Sequence, residues 1–355
     1  MDRRLLETIL QRAGQLRIVV LGDFFLDQYL LVDPKRREVS RETGKWAHQV
    51  VGAWSSPGAA GTVASNLRSL GVHVEAVGAI GDDGNGYQLR QELGARGVHR
   101  SSLLVDPSLV TPTYIKPMER HQTGMDEMER WDIKNYRPTS AQLEQTIIHE
   151  LERQWDAADG IMVMDQVEEE NCGTVTRTVR HWLNQKAASF PDKPVLVDSR
   201  GFIGRFRNVI LKPNEHEARA AVGDDGGLGV EQLIEALYAK SRRALFVTRG
   251  PRGLAVFDGQ QTRTVAAVPV TGPLDIVGAG DSTSAGILTA LCANCSPVDA
   301  ACFASLVASV TIQKLGTTGT ATPEELRQQW QEFGPTLLEL WSSNSLTARA
   351  DADGH

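Results

Sequence analysis

The chain has 355 residues, 41% of them hydrophobic, enough for one large domain or two small ones with a substantial core. Its 37 Lys and Arg against 44 Asp and Glu give a formal charge of −7 without a long basic block, which argues against nucleic acid as a partner and leaves anionic small molecules open. No apolar run approaches a membrane span, and the N-terminal segment lacks a signal-peptide h-region, so a cytoplasmic protein without membrane partners is expected.

Short β-branched runs bounded by turn residues predict strands at 17–22 (RIVVLG), 74–80, 160–165, 194–198, 209–214 and 244–250. Between them, helical spacing puts Ala60, Val63, Leu67 and Leu70 on one face and Phe303, Leu306, Val307 and Val310 on another. Strands alternating with helices, the strands being almost continuously apolar, predict an α/β architecture with a parallel sheet covered on both sides.

Directly after the first strand, LGDFFLD places Asp23 and Asp27 at the carboxyl end of the sheet, where open α/β sheets bind ligands. Carboxylates there suit sugar hydroxyls, although one of the two could equally cap a turn. Residues 28–56 and 109–136 lack helical periodicity and read as strands and turns projecting from the sheet. They suit either a lid over an active site or edge hairpins serving dimerisation. Lys35, Arg36, Arg37, Arg41, Lys45, Lys116 and Arg120 make these segments basic, as a grip for a sugar phosphate or as a solvated face. A run of small residues, SPGAAGTVASNLRSLG (56–71), leads into the next helix.

LKPNEHEA (211–218) ends a strand with Asn214, Glu215 and Glu217, which are oxygen ligands suited to Mg²⁺ or simply an acidic helix start. In DIVGAGDSTSAG (275–286), Gly278, Ala279 and Gly280 would let an anion reach the unpaired N–H groups of a helix N-terminus. Asp281 at that place is a base for an attacking hydroxyl, or an ordinary N-cap. CANC (292–295) has metal or redox spacing but no second pair, and reads as packing cysteines near the end of an apolar helix. Residues 343–355 read as a disordered tail. The P-loop, the dinucleotide fingerprint and the G-x-S-x-G elbow are missing from the sequence.

Taken in this order, the stretches resemble the ribokinase-like, or phosphofructokinase-B, family of carbohydrate kinases from about residue 17 to 330, with GAIGDDGNG (78–86) and DIVGAGDSTSAG as its two patterns. Within that family, VLGDFFLDQY and KLGTTGTATPEEL (314–326) resemble the kinases that phosphorylate D-glycero-D-manno-heptose 7-phosphate at C1. The resemblance implies a ribokinase-like three-layer fold with a mostly parallel central sheet and a small β lid, in one kinase domain over 1–342. It further implies a sugar or sugar-phosphate substrate, ATP and Mg²⁺, K⁺ as a further cation, and a homodimer through the lid. It makes Asp281 the catalytic base and Gly278, Ala279 and Gly280 the anion hole. Asp27, Gly58, Ala59, Thr62 and Asp165 would contact the sugar. Asn214 and Glu217 would organise Mg²⁺ and the phosphates, Thr248, Arg249, Gly250 and Ser305 would lie along the nucleotide, and Asp275 would hold the monovalent cation. Thr62 and Ser305 stand where the family has Asn, Val277 stands where it has Thr, and SRETGKWAH (40–48) replaces the proline-rich lid wording of heptose kinases. These departures leave open a kinase for another sugar, such as fructose or ribose, and a non-catalytic sugar or nucleotide sensor.

Overall fold

The computed structural model describes residues 1–121, 124–316 and 318–343. Among them the chain forms α1 (Arg3–Ala13), β1 (Arg17–Gly22), β2 (Phe24–Val32), β3 (Glu38–Val39), β4 (Trp46–Ala47), β5 (Val50–Ala59), α2 (Ala60–Ser69), β6 (His73–Gly81), α3 (Gly84–Ala95), β7 (Leu103–Asp106), β8 (Thr113–His121), β9 (Gly124–Glu127) and β10 (Trp131–Ile133). The second half adds α4 (Ala141–Trp155), β11 (Gly160–Asp165), α5 (Arg177–Ser189), β12 (Val195–Ser199), β13 (Ile210–Leu211), α6 (Glu215–Val222), α7 (Val230–Ser241), β14 (Leu245–Thr248), β15 (Leu254–Phe257), β16 (Thr262–Val265), α8 (Ala279–Cys292), α9 (Pro297–Thr311) and α10 (Pro323–Ser343). Most of the predicted tail, residues 344–355, lies outside the described residues.

A nine-stranded sheet runs in the order β16-β15-β14-β13-β12-β11-β1-β6-β7, parallel from β7 to β14 and antiparallel over β15 and β16. Alternation along β1 sends Val20 into one core with Leu6, Leu67, Leu288 and Phe303, and Val19 and Leu21 into the other with Ile147, Trp155, Val179 and Leu233. Both faces of the sheet are therefore sealed by helices, which is why its central strands tolerate almost no polar side chain. The strand predicted over 209–214 shrinks to Ile210–Leu211, because Pro213 brings no N–H to a ladder and Asn214 already caps α6. Cys292 ends α8 and is buried, burial holds its thiol protonated, and among the described residues no group of three or more His, Cys, Asp or Glu could hold a metal. No helix among them is long and apolar enough to cross a membrane.

A second sheet, β10-β8-β2-β5 with β9 on β8, and the β3–β4 hairpin occupy the two segments predicted to project. One of its faces rests on α3 through Gln28, Ser55, Gln88 and Glu92, with Gln88 Nε2 donating to Ser55 Oγ at 2.9 Å. Strand alternation puts Asp27, Tyr29, Trp54, Tyr114 and Lys116 on the opposite face.

A single residue, Asp23, separates β1 from β2. Its side chain is 3% exposed and accepts hydrogen bonds from the backbone N–H groups of Gln166 (2.8 Å), Val167 (3.0 Å) and Thr174 (2.7 Å). Burial nevertheless raises its pKa. Of the two aspartates left ambiguous by the sequence, Asp23 is the one that satisfies backbone. Truncating it strands one buried donor, at about 1–3 kcal/mol, and two half-buried ones at less. Asp23→Ala is expected to destabilise the fold by about 3 kcal/mol or more, measured as a fall in the urea midpoint at unchanged slope.

Candidate active site

Below the second sheet, the carboxyl ends of β12 and β13 meet the N-termini of α6 and α8. α8 starts at Gly278, whose φ of +80° lies in the left-handed region. A Cβ there would come to 2.5 Å from Thr318 Cγ2 and 3.6 Å from Thr62 Cγ2, so the position admits only glycine without local rearrangement. A Cβ at exposed Gly280 would meet nothing nearer than Lys212 Nζ at 3.9 Å, which leaves the backbone accessible. Among the described residues no side chain caps α8, and none caps α2, which begins after Ala59 at φ +50°. Asp281 is therefore not the N-cap. It is the third residue of α8, beside uncapped N–H groups.

Burial drives the Asp281 carboxyl up to about 7, the nearby Asp198 adds to the rise, Lys212 and Arg200 oppose it, and Asp27 adds a smaller push. These couplings define the surroundings of Asp281. Asp198 and Lys212 end neighbouring parallel strands and form a buried ion pair at 2.9 Å, and Ser284 Oγ from α8 donates to the same Asp198 oxygen at 3.0 Å. Burial alone would lower the Lys212 ammonium, but Asp198, Glu217 and Asp281 together hold its pKa above the ordinary lysine value.

Asn214 and Glu217 form a capping box on α6: Asn214 Oδ1 accepts from the Glu217 N–H and Glu217 Oε2 accepts from the Asn214 N–H, both at 2.8 Å. The half-buried Glu217 carboxyl is raised by desolvation and by Asp198. Glu215 points elsewhere and pairs with Arg219, Arg249 and Arg252. The N–H of Thr248 bonds Pro213 O at 3.0 Å, which brings the turn of Arg249 and Gly250 (φ +56°) beside the start of α6.

On the sugar side of the predicted set, Asp27 Oδ1 is buried, lies 3.4 Å from Lys116 Nζ and has no hydrogen-bond partner among the described residues. A Cβ on Gly58 would come to 2.9 Å from Asp27 Oδ2, so the glycine makes room for that carboxylate. Thr62 is buried and donates its hydroxyl to Pro57 O at 3.1 Å. Asp275 closes a loop by accepting N–H groups from Val277 and Gly316, each at 3.0 Å. Two predicted residues stand apart from the Asp281 cluster. Asp165 is enclosed with Ser199 (2.6 Å) and Asp23, burial and Asp23 raising it to about 7, and Ser305 is buried with its hydroxyl on Ala266 O at 3.2 Å.

Sequence reasoning passed over Asp198 and Lys212. The available signal was a charged residue closing an otherwise apolar strand run, in VLVD and VILK.

The family model described as pfkB family carbohydrate kinase matches residues 17–325. The chain belongs to the pfkB family of carbohydrate kinases. Among curated pfkB-type relatives, the bifunctional protein HldE of Trichlorobacter lovleyi is 30% identical over 331 residues, covering 92% of this chain and 65% of that protein. HldE of Geobacter sulfurreducens is likewise 30% identical, over 341 residues and the same shares of each chain. The chain thus spans about 65% of the length of these relatives. Among solved structures, phosphofructokinase-2 of Escherichia coli with potassium superposes with a TM-score of 0.65 at 18% identity, over 90% of this chain and 99% of that one. Ribokinase of Arabidopsis thaliana with ribose and ATP gives 0.61 at 19%, over 88% and 98%. The expected ribokinase-like fold is therefore the observed one, and this pfkB protein is a carbohydrate kinase.

The raised pKa has a stability consequence. The folded Asp281 titrates at about 7 against 3.8 ordinarily, so the folded state holds a proton that the unfolded state releases, and stability falls as pH rises from about 4 to about 7. Asp281→Asn removes that cost. Calorimetry is expected to show its melting temperature above wild type by a few degrees at pH 8 and by less at pH 5, whereas equal shifts at both would contradict the assignment.

Proposed function

We propose that this kinase transfers the γ-phosphate of ATP to a hydroxyl of a sugar phosphate, with C1 of D-glycero-D-manno-heptose 7-phosphate as the leading acceptor. The observation that carries the reading is the place of Asp281, in the first turn of a helix that no side chain caps among the described residues and beside the buried Asp198–Lys212 pair. Phosphoryl transfer asks little covalent work of a protein and depends on positioning and charge stabilisation. Asp281 orients the acceptor hydroxyl and takes its proton as the new P–O bond forms. The backbone around Gly278, Ala279 and Gly280 and the positive end of α8 stabilise the charge on the transferring group.

The second sheet acts as the lid in this reading, with the Asp27 face toward Asp281. Asp27 accepts from sugar hydroxyls beside Gly58 and Ala59, and Thr62, whose proton is spent on Pro57, offers only its lone pairs. Lys116 adds positive charge to that face, which supports an acceptor bearing an anionic group. The heptose choice is supported by the likeness of VLGDFFLDQY and KLGTTGTATPEEL to heptose 7-phosphate kinases and by the HldE relatives. Asp165 and Ser305 have no direct role here. The exposed Trp46, Val50, Val51 and Trp131 of the projecting strands support a homodimer through the lid.

Glu217 keeps one carboxylate oxygen outside the capping box, which fits a Mg²⁺ carried by the nucleotide and held through Glu217 and Asn214, directly or by water. When bound, the ion shields the phosphate charge. Asp275 retains lone pairs beyond its two backbone bonds, which fits a monovalent cation at the 275–277 and 312–316 loops.

An ADP-release assay over a panel of sugars and sugar phosphates tests the reading. Turnover is expected to be highest with heptose 7-phosphate, and preference for unphosphorylated sugars would contradict the acceptor class. Asp281→Asn is expected to cut kcat by roughly 10²–10⁴-fold. For wild type, kcat/KM is expected to fall as pH drops below about 7, since the base must be ionised to accept the proton.

A further inference from the structure

Arginine is rarely buried without a partner, yet Arg180, in the first turn of α5, is 5% exposed. Its guanidinium rests over the rings of Phe202 and Phe206, 5.3 and 5.6 Å from their centroids. Among the described residues no hydrogen bond or ion pair ends on it, so its five N–H donors have no acceptor. Aromatic rings answer the flat face of a guanidinium and leave the donors along its edge. Buried donors without acceptors are costly, and a second cation stands close by, since Arg205 lies 4.7 Å from the same Phe202 ring. The nearby carboxylates are committed to other groups. Glu170 Oε1 is shared by Arg177 at 3.0 Å and Arg205 at 2.7 Å. Asp165 takes the Ser199 hydroxyl at 2.6 Å and stands outside ion-pair distance of Arg180, although its charge acts there. Three arginines therefore gather around two carboxylates, and the most buried of the three is the one left unanswered.

The cluster gathers beyond the carboxyl ends of β11 and β12, the end of an open α/β sheet that takes ligands. α5 packs through Val179 and Leu183 into the core on one face of the sheet, whereas α8 packs through Ile287 and Leu288 into the other, so the two sites are distinct. We propose that Arg180 and Arg205 form a second anion site that takes a small oxyanion, either free phosphate or the phosphoryl group of a sugar phosphate. The planar fork of Arg180 offers paired donors to two oxygens of such a group. Arg205, half exposed, adds charge from the solvent side. A bound oxyanion thereby ties α5 to the loop after β12, whose Arg200 acts on Asp281.

Inorganic phosphate tests the site directly. The full chain is titrated by calorimetry with sodium phosphate against sodium chloride at equal ionic strength, with the non-hydrolysable ATP analogue AMP-PNP and Mg²⁺ present to occupy the α8 end. Wild type is expected to take up phosphate. Arg180→Gln is expected to weaken that binding by about tenfold or more, and Arg180→Lys, which keeps the charge without the fork, to recover part of it. Arg205→Gln, at an exposed position, serves if the buried variant does not fold, and is expected to weaken binding by about threefold or more. Acceptor kinetics then separate the two sources. A raised KM for the sugar phosphate at unchanged kcat in Arg205→Gln, with phosphate competing against it, assigns the site to the acceptor, and an unchanged KM assigns it to free phosphate. A wild type that takes up no phosphate, or an unchanged affinity in either Gln variant, overturns the proposal. If AMP-PNP fails to bind, the reading of the α8 end falls, while the two variants still judge the arginine site.

Discussion

The site turns on one electrostatic conflict. A carboxylate in the first turn of a helix should be held ionised by the helix dipole, yet Asp281 is pushed up to about 7. Desolvation outweighs the dipole, and a second carboxylate, Asp198, adds to it. Lys212, paired with Asp198 at 2.9 Å, opposes the rise at Asp281. The three charges form a compact set in which Asp198 raises the Asp281 carboxyl and Lys212 opposes that rise.

The fold supplies this set with little freedom. Parallel pairing of β12 with β13 sets Val197 opposite Leu211, so the residues that follow, Asp198 still within β12 and Lys212 just past β13, stand side by side. α8 then lies over them, its approach fixed by a glycine at 278 that packs against Thr318 and Thr62. The capping box of α6 leaves its first turn as the neighbouring wall. Asp27 reaches the same space from the second sheet, whose attachment to the first is secured by Asp23 and its three backbone donors. The aspartate that ties the two sheets together and the one on the lid face therefore lie four residues apart on one continuous stretch of chain.

Much of this was legible in the sequence because local rules carry it. The apolar strands and the glycines before Asp281 have physical signatures that survive without tertiary context. The distinction between Asp23 and Asp27 did not, since it depends on the loop 166–174 folding back to offer N–H groups, a contact about 150 residues distant in the chain. Lys212 was invisible for the same reason: in VILKPN it reads as a strand-end lysine bound for solvent, and only the parallel neighbour turns it into half of a buried pair. Asp27 acts on Asp281 and Glu217 on Lys212, whereas Asp165, the last residue of β11, bonds Ser199 and Ser305 bonds a backbone carbonyl.

The central claim is that the carboxyl of Asp281 is half-ionised near neutrality in the folded kinase. Infrared difference titration of the full chain, with the Asp281 band identified by its loss in Asp281→Asn, reads that carboxyl directly. The account predicts a protonated C=O stretch that disappears with a midpoint at about 7. A midpoint near the ordinary aspartate value of 3.8 would contradict it.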